Sequence, residues 1–210
     1  MSKRFAVIGQ TGQLGRALIE AGEGLGHDIL SLSRKEIDLG GSPQLIEAAI
    51  SALPADVDAV IIAAAYTAVD AAETDADTAY AVNAAAPAAI ARACVNHGIP
   101  LVHISTDYVF AGDADEPYQP DDDTDPLGVY GASKLDGELA VIESGARAVI
   151  LRTSWVFDGT GNNFLTTMLR LSEMRDELRV VDDQIGLPTF AGHLALATLK
   201  AAETLVDDPD

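Results

Sequence analysis

The first twenty residues restrict the possible folds more than any other part of the chain. Residues 5–8 form a short, continuous apolar run of the kind found in buried parallel strands. The run leads into a loop with glycines at positions 9, 12 and 15, and then into the helical stretch 16–20. Glycines at this spacing permit a tight turn, bring backbone N–H groups close to a pyrophosphate and let the helix pack closely on the strand. The stretch therefore predicts a strand–loop–helix unit that binds a dinucleotide.

The rest of the chain alternates between short apolar runs and longer helical stretches. Further strands are predicted at residues 28–31, 58–62, 101–105, 148–151 and 178–181. Helices are predicted from Pro43 to about Leu53, over residues 78–97, from around Tyr130 to about Glu143, over residues 163–174 and from about Gly192 onward. Pro87 is expected in an early helical turn, with Asn83 in a loop before it. This alternation predicts the α/β class, with a doubly wound parallel sheet of the Rossmann-like kind.

Composition limits the classes of partner. The 210 residues carry 33 acidic and 13 basic side chains, which gives a formal net charge of −20. Such a surface repels phosphate backbones and anionic membranes, so neither nucleic acid nor a membrane is expected as a partner. Because no apolar stretch approaches the length of a membrane span, the expected location is the cytoplasm.

The residue types that commonly bind metals follow no ligand pattern. Cys94 is the only cysteine, which excludes an intrachain disulfide and a thiolate cluster. The four histidines are scattered, and His103 is expected to be a core residue of a buried strand. The acidic run in the loop 111–127 lacks the turn glycine and the distal glutamate of a calcium loop. No metal site is predicted.

Tyr130 and Lys134 are four residues apart in a predicted helix and therefore share one face. A free phenol has a pKa of about 10, and a cation held beside it favours the phenolate, so the tyrosine can transfer a proton near neutral pH. Thr106 ends the fourth predicted strand at the sheet edge where the glycine loop also lies. The three side chains are expected to converge beside a nicotinamide. This resembles the arrangement of the short-chain dehydrogenase/reductase superfamily, with threonine in a position often held by serine.

Six motifs extend this resemblance over nearly the whole chain. They are GQTGQLG at residues 9–15, AAAYTAVD at 63–70, STDYVF at 105–110, VYGASK at 129–134, RTSW at 152–155 and DQIGLPT at 183–189. In this order they resemble the motif series of the dTDP-4-dehydrorhamnose reductase family. The resemblance implies reduction of the C4 ketone of a dTDP-sugar substrate, dTDP-4-dehydro-L-rhamnose, to dTDP-L-rhamnose.

The resemblance also implies a role for each matching residue. Tyr130 is the expected general acid, Lys134 holds the nicotinamide ribose and lowers the tyrosine pKa, and Thr106 hydrogen-bonds the carbonyl oxygen. Contacts with the deoxysugar are expected from Val69, Thr106, Tyr108 and Trp155, although Trp155 has a core aromatic as its alternative interpretation. The expected cofactor contacts are Gly9, Gln10, Thr11, Gly12, Gln13, Leu14, Arg34, Asp38, Leu39, Ala63, Ala64, Ala65, Tyr66, Thr67, Asn83, Tyr130 and Lys134.

NADPH is the expected cofactor, with NADH as the alternative. Dinucleotide folds often place an acidic residue after the second strand to hold the adenine ribose hydroxyls. This chain has Ser33, Arg34 and Lys35 there, and a guanidinium can receive the 2′-phosphate of NADP. A solvated loop is the alternative interpretation of these residues.

The resemblance predicts how the chain is divided. Residues 1–155 are expected to form the dinucleotide-binding domain, with returning elements to about residue 195, and residues 156–210 an interleaved, partial substrate-binding portion. Family members continue past the last predicted helix, so this portion is expected to be incomplete. A homodimer is a further expectation. The competing hypotheses are a non-catalytic dinucleotide-binding subunit and a related epimerase or dehydratase that retains bound NAD.

Overall fold

The structure, a computed structural model, describes residues 1–182 and 184–208. Asp183, the first residue of the sixth motif, and residues 209–210 lie outside the described residues. The central sheet consists of β1 (Arg4–Ile8), β2 (Asp28–Leu32), β3 (Ala59–Ile62), β4 (Leu101–Thr106) and β5 (Ala148–Thr153). The strands are parallel and lie in the order β2-β1-β3-β4-β5, so the direction of winding reverses beside β1. The predicted doubly wound parallel sheet is confirmed.

Helices cover both faces of this sheet. They are α1 (Gln13–Gly24), α2 (Pro43–Ser51), α3 (Val69–Ala72), α4 (Ala76–Tyr80), α5 (Ala86–His97), α6 (Val129–Glu143), α7 (Phe164–Ser172) and α8 (Ala191–Asp207). A π-helical turn, Ala81–Ala85, joins α4 to α5, and a 3₁₀ turn, Asp107–Val109, follows β4. Two short strands, β6 (Val156–Phe157) and β7 (Thr189–Phe190), pair in parallel outside the main sheet. None of the described helices is long and apolar enough to cross a membrane.

The two faces of the sheet bury separate cores. Ala6 and Ile8 of β1 belong to a core that includes side chains of α2 and α5. Phe5 and Val7 belong to a second core with side chains of α1 and α8. All four residues are at most 2% exposed. Burial on both faces explains why β1 has a continuous apolar sequence rather than an alternating one.

Glycine is required at the turn that follows β1. Gly9 has φ +105°, a left-handed conformation that residues with a side chain rarely adopt, and an added Cβ would lie 2.8 Å from the Cβ and the amide nitrogen of Ala64. Gly15 packs directly on the carbonyl group of Gly9, which leaves no room for a side chain. The loop 9–15 therefore lies close to the end of β3, and Gly15 allows the close helix packing that the glycine spacing predicts.

Two secondary-structure predictions are wrong. Residues 178–181, expected to be a strand, are irregular, and Val180 and Val181 are 52% and 67% exposed because no core element covers them. Asn83 does not lie in a loop, since the helix continues through it as a π-helical turn. Pro87 does lie in the first turn of α5, where a missing N–H is tolerated.

The final helix returns to the first elements of the chain. α8 packs on α1 and contributes Leu194, Leu199 and Ala202 to the second core. Lys3 Nζ lies 2.5 Å from an Asp207 carboxylate oxygen near the end of α8. The end of the described chain thus packs against its beginning, while the predicted division into two portions, with returning elements to about residue 195, stays a prediction.

Candidate functional site

The carboxyl ends of β1, β3, β4 and β5 border a cleft of about 690 Å³. Of the predicted residues, it is lined by Gly9, Thr11, Gly12, Gln13, Leu14, Ala63, Ala64, Ala65, Thr67, Val69, Thr106, Tyr108, Tyr130, Lys134 and Trp155. A groove of about 600 Å³ shares several of these residues and adds Gln10, Arg34, Asp38, Leu39 and Tyr66. The structure therefore brings together nearly all the predicted site residues along one edge of the sheet, although their roles are still predictions.

The glycine loop fits the pyrophosphate of a dinucleotide. Gly12 is the N-cap residue of α1, and no described side chain caps this helix end. The first turn of a helix has backbone N–H groups without intrahelical partners, and these groups together with the helix dipole bind phosphate oxygens. Gly9 and Gly12 both line the cleft and place no side chain in it. The observed backbone thus fits the expected group.

Lys134 is a buried cation at the base of the cleft. The residue is 2% exposed, and its Nζ donates a hydrogen bond of 2.7 Å to the carbonyl oxygen of Ile104. Burial lowers the pKa of the ammonium to about 8, while the negative charge of Glu138 acts in the opposite direction. An ammonium has three N–H donors, and two of them are left after the bond to Ile104. Lys134 is therefore able to donate to hydroxyl groups of a ligand in the cleft.

Tyr130 lies beside Lys134, and several neighbours act on the pKa of its phenol. Burial raises the pKa of the phenol, the nearby Thr106 hydroxyl opposes this effect, and the charge of Asp107 adds to it. The net shift is upward because desolvation of the phenolate is the largest effect. The expected lowering of the phenol pKa by Lys134 stays a prediction. Tyr130 is therefore protonated at neutral pH.

Thr106 occupies the end of β4, where it was expected. Its Oγ1 accepts a hydrogen bond of 3.2 Å from the Tyr108 N–H and donates one of 3.2 Å to Asp107 Oδ1. The first of these bonds caps the 3₁₀ turn, and the ring of Tyr108 then packs edge-on against that of Tyr130, with 5.5 Å between centroids. Thr106, Tyr108 and Tyr130 therefore form one wall of the cleft.

Asp107 is a site residue that the sequence-based prediction missed. It lines the main cleft and also a neighbouring groove of about 350 Å³ that contains Val69, Tyr108, Tyr130 and Trp155. Burial raises the pKa of its carboxyl group, although the hydrogen bond from Thr106 opposes the shift. Asp107 directly follows Thr106 at the end of a parallel strand, and this position in the sequence could have predicted that it lines the cleft.

Asn83 is not among the residues that line the cleft or the second groove, and its predicted cofactor contact stays a prediction. Its side chain is buried, with Nδ2 donating to the Tyr66 carbonyl oxygen at 3.0 Å and to Ser133 Oγ at 3.0 Å, while Oδ1 accepts from the Tyr66 N–H at 2.9 Å. Ser133 Oγ in turn donates to the Tyr130 carbonyl oxygen at 2.8 Å. Asn83 therefore joins the loop after β3 to α6, and these protein contacts occupy both the oxygen and the nitrogen of its amide group.

The segment after β2 supports both interpretations given above. Arg34 lines the second groove, but its side chain is 83% exposed and its Nε donates to Asp38 Oδ1 at 3.1 Å. The Glu36 carboxylate accepts a bond of 2.8 Å from the Ser33 N–H. The cationic side chains of Arg34 and Lys35 thus lie at the groove. The Asp38 carboxylate would compete with a bound phosphate for Arg34, and the Glu36 carboxylate would compete with it for the Ser33 N–H.

Trp155 is not a core aromatic. It is 43% exposed, lines both the main cleft and the neighbouring groove, and has φ +45°, the one positive value among the described non-glycine residues. Positive φ is strained for a large side chain, and such strain is found most often at functional sites. No group of three or more His, Cys, Asp or Glu side chains that could hold a metal is found in the part of the chain that the structure describes.

Comparison with known proteins decides the family. The model of a family described as the RmlD substrate binding domain matches residues 3–210. The chain belongs to this family. The relatives of this RmlD family member include the dTDP-4-dehydrorhamnose reductase of Burkholderia thailandensis, 46% identical over 96% of this chain and 66% of the relative. The reductase of Escherichia coli K12 is 42% identical over 97% of this chain and 68% of the relative. The family resemblance predicted from the six motifs is confirmed.

Solved structures agree with this assignment. The dTDP-4-dehydrorhamnose reductase of Bacillus anthracis, solved in complex with NADP, matches with a TM-score of 0.90 and 39% identity over 97% of this chain and 72% of that chain. The curated relatives are longer, and the chain spans between 61% and 68% of their length. The described sheet and cleft thus correspond to about two thirds of such a reductase.

Proposed function

We propose that this protein reduces the C4 ketone of dTDP-4-dehydro-L-rhamnose to dTDP-L-rhamnose with a nicotinamide dinucleotide. The observation that carries the proposal is the convergence of Thr106, Tyr130 and Lys134 in one cleft, beside a glycine loop that fits a pyrophosphate. Relatives that are more than 40% identical over nearly the whole chain are reductases of this name.

The proposed chemistry assigns one task to each of the three side chains. When bound, the cofactor supplies the hydride. Tyr130 donates its proton to the carbonyl oxygen, and its raised pKa keeps that proton on the phenol until charge develops on the oxygen. Thr106 hydrogen-bonds the same oxygen, and Lys134 binds ribose hydroxyls with its remaining N–H donors. In this proposal, reduction of the ketone begins with a protonated Tyr130.

The proposed cofactor is NADPH, with NADH as the alternative. The support is that the Bacillus anthracis relative was solved with NADP and that Arg34 and Lys35 border the second groove. The backbone of the glycine loop and of residues 63–67 would hold the dinucleotide along this edge of the sheet. Val69, Asp107, Tyr108 and Trp155 would then face the deoxysugar in the neighbouring groove.

Tyr130→Phe tests this function directly. The variant removes the proton donor, so we expect NADPH oxidation with the dTDP-sugar ketone to fall by at least about a hundredfold. Dinucleotide affinity should stay within about twofold, because Tyr130 is one of many contacts. Tyr80→Phe on α4, away from the cleft, is the matched control. Full turnover by the Tyr130 variant would contradict the acid assignment.

A second candidate function is a dinucleotide-binding subunit without catalysis. It is motivated by one observation, that the chain spans only 61–68% of the length of its curated relatives. Dinucleotide binding by the wild-type chain with no turnover of the dTDP-sugar would favour this candidate. Tightly bound NAD retained through purification would instead favour the epimerase or dehydratase alternative.

We also infer cytoplasmic location and a homodimer. The location agrees with a single, buried cysteine, Cys94, as expected where disulfides are rare. The dimer is supported by apolar side chains exposed on adjacent helices, Val95 of α5 and Leu139 and Ile142 of α6, at 44%, 46% and 64%.

A further inference from the structure

Asn163 has no task in the proposed chemistry, yet its side chain reaches the glycine loop. Gln13, the first residue of α1, accepts at its Oε1 a hydrogen bond of 2.9 Å from Asn163 Nδ2. The Nε2 of Gln13 donates in turn to the Val156 carbonyl oxygen at 3.3 Å. The side chain of Gln13, a residue expected to contact the cofactor, is therefore bonded to the segment that follows β5.

Asn163 also organises the segment in which it lies. Besides its bond to α1, its Nδ2 donates to the carbonyl oxygens of Asp158 and Thr160, at 2.9 and 3.2 Å, so its two N–H groups are shared among three acceptors. Its Oδ1 caps α7 by accepting a bond of 2.9 Å from the Thr166 N–H, and Thr166 Oγ1 accepts one of 3.1 Å from the Asn163 N–H. One amide group thus joins the loop 158–163, the start of α7 and the start of α1.

A second contact joins the same two segments. Arg16, also in the first turn of α1, donates through Nη1 to the Thr11 carbonyl oxygen at 2.7 Å, and its Nη2 lies 3.4 Å from Asp158 Oδ2. The main cleft is lined by Arg16 and also by Gly161 and Asn162, which lie directly before Asn163. The two segments therefore meet at the end of the cleft where the pyrophosphate is expected.

The glycine loop has few side chains of its own to fix its conformation. Gly9, Gly12 and Gly15 have none, and glycine loses more conformational freedom on folding than any other residue. The Gly12 N–H donates to the Gly9 carbonyl oxygen at 3.1 Å, and the Gly9 N–H donates to the Leu32 carbonyl oxygen at 3.3 Å. Side-chain bonds from outside the loop therefore help to place the N–H groups of the first turn of α1.

We propose that Asn163 is a positioning residue for dinucleotide binding: its hydrogen bond to Gln13 holds the first turn of α1 in the conformation that receives the pyrophosphate. A binding loop that is already ordered binds more tightly, because no further ordering cost reduces the affinity. The inference rests on the dinucleotide-binding part of the function proposed above and does not depend on turnover.

Asn163→Ser removes this bond and keeps the cap of α7. Serine is as good an N-cap residue as asparagine, brings no charge near the phosphates and has no amide group to reach Gln13. We expect the affinity for NADP, measured by titration calorimetry, to fall about fivefold, as for the loss of one hydrogen bond. The affinity for NAD should fall by the same factor, because both dinucleotides carry the pyrophosphate.

Gln13→Met removes the same bond from the side of α1, together with the bond to Val156. If Asn163 acts through Gln13, the double variant should bind NADP no more weakly than Gln13→Met alone, because both substitutions remove one shared interaction. Losses that multiply in the double variant would show two independent effects and overturn the inference. If Asn163→Ser does not fold, Gln13→Met alone should still weaken NADP binding at least about fivefold.

Thr166→Val is the matched control. It removes the hydroxyl group that completes the capping box of α7 but leaves the bond between Asn163 and Gln13, so NADP affinity should stay unchanged. An equal loss of affinity in this variant, or unchanged affinity in a folded Asn163→Ser or Gln13→Met, overturns the inference. The expected losses in a chain that binds NADP without turnover of the dTDP-sugar would instead reject the proposed function and leave the inference standing.

Discussion

Burial acts on two neighbouring side chains of the cleft and favours the neutral form of each. It lowers the pKa of Lys134 to about 8 and raises that of Tyr130. At pH 7 the lysine is therefore still charged while the phenol keeps its proton. This is the combination that proton donation to a carbonyl oxygen requires. The sequence placed the two residues on one helix face, but the direction of the tyrosine shift depended on how much of the phenol the fold covers.

The lowered pKa of Lys134 predicts a pH-dependent stability difference. The unfolded lysine titrates at about 10.4, so below pH 8 the folded state bears the full cost of a buried charge. As the pH rises from 8 toward 10.4, the unfolded chain binds more protons than the folded one, and this cost disappears. The free energy of unfolding of Lys134→Met, measured relative to that of the wild type, should therefore be about 3 kcal/mol higher at pH 7 than at pH 10.5.

Urea unfolding at the two pH values measures this difference. Lys200→Met is the matched control, because Lys200 is 76% exposed on α8 and should show the same small effect at both. A constant difference between Lys134→Met and wild type across this range would mean that the ammonium is not desolvated.

At the scale of the element, the π-helical turn Ala81–Ala85 is the feature that the sequence did not reveal. The stretch is rich in alanine and compatible with an ordinary helix. The extra residue places Asn83 where its amide bonds both polar groups of the Tyr66 backbone and Ser133 of α6. Since π turns recur at functional sites, this one is explained by the need to join the loop after β3 to the helix that bears Tyr130.

Asn83→Ala should loosen this junction. Loss of three hydrogen bonds leaves buried polar groups of Tyr66 and Ser133 unpaired, and we expect the free energy of unfolding to fall by about 2–4 kcal/mol. Dinucleotide affinity should also weaken, because residues 63–67 line the cleft. Urea unfolding and a binding titration with NADP measure the two effects. Asn96→Ala, exposed near the end of α5, should change neither. Unaltered affinity in a destabilised Asn83 variant would restrict the residue to a structural role.

At the scale of the whole molecule, the net charge of −20 opposes compact folding. Ion pairs such as Arg34–Asp38 and Arg92–Glu47 are largely exposed, and pairs of this kind contribute at most about 1 kcal/mol each. The repulsion among excess carboxylates therefore outweighs the attraction within exposed pairs. Salt that screens both should stabilise the protein.

Thermal unfolding should accordingly shift to higher temperature as NaCl is raised from about 0.01 M to about 1 M, over which the screening length falls from about 30 Å to about 3 Å. Calorimetry or circular dichroism measures the midpoint at each concentration. A midpoint that falls with added salt would show that the exposed ion pairs dominate.

The sequence by itself determined the sheet, the glycine loop and most of the cleft. Continuous apolar runs and glycine spacing are local properties, and a parallel sheet places every strand's carboxyl end at one edge, so Gly9, Thr106 and Tyr130 had to meet. Only the tertiary structure decided the rest. It engaged Asn83 in hydrogen bonds within the protein, brought Asp107 into the cleft, left residues 178–181 irregular and raised the pKa of Tyr130. These outcomes depend on burial and on partners distant in sequence, which no local pattern specifies.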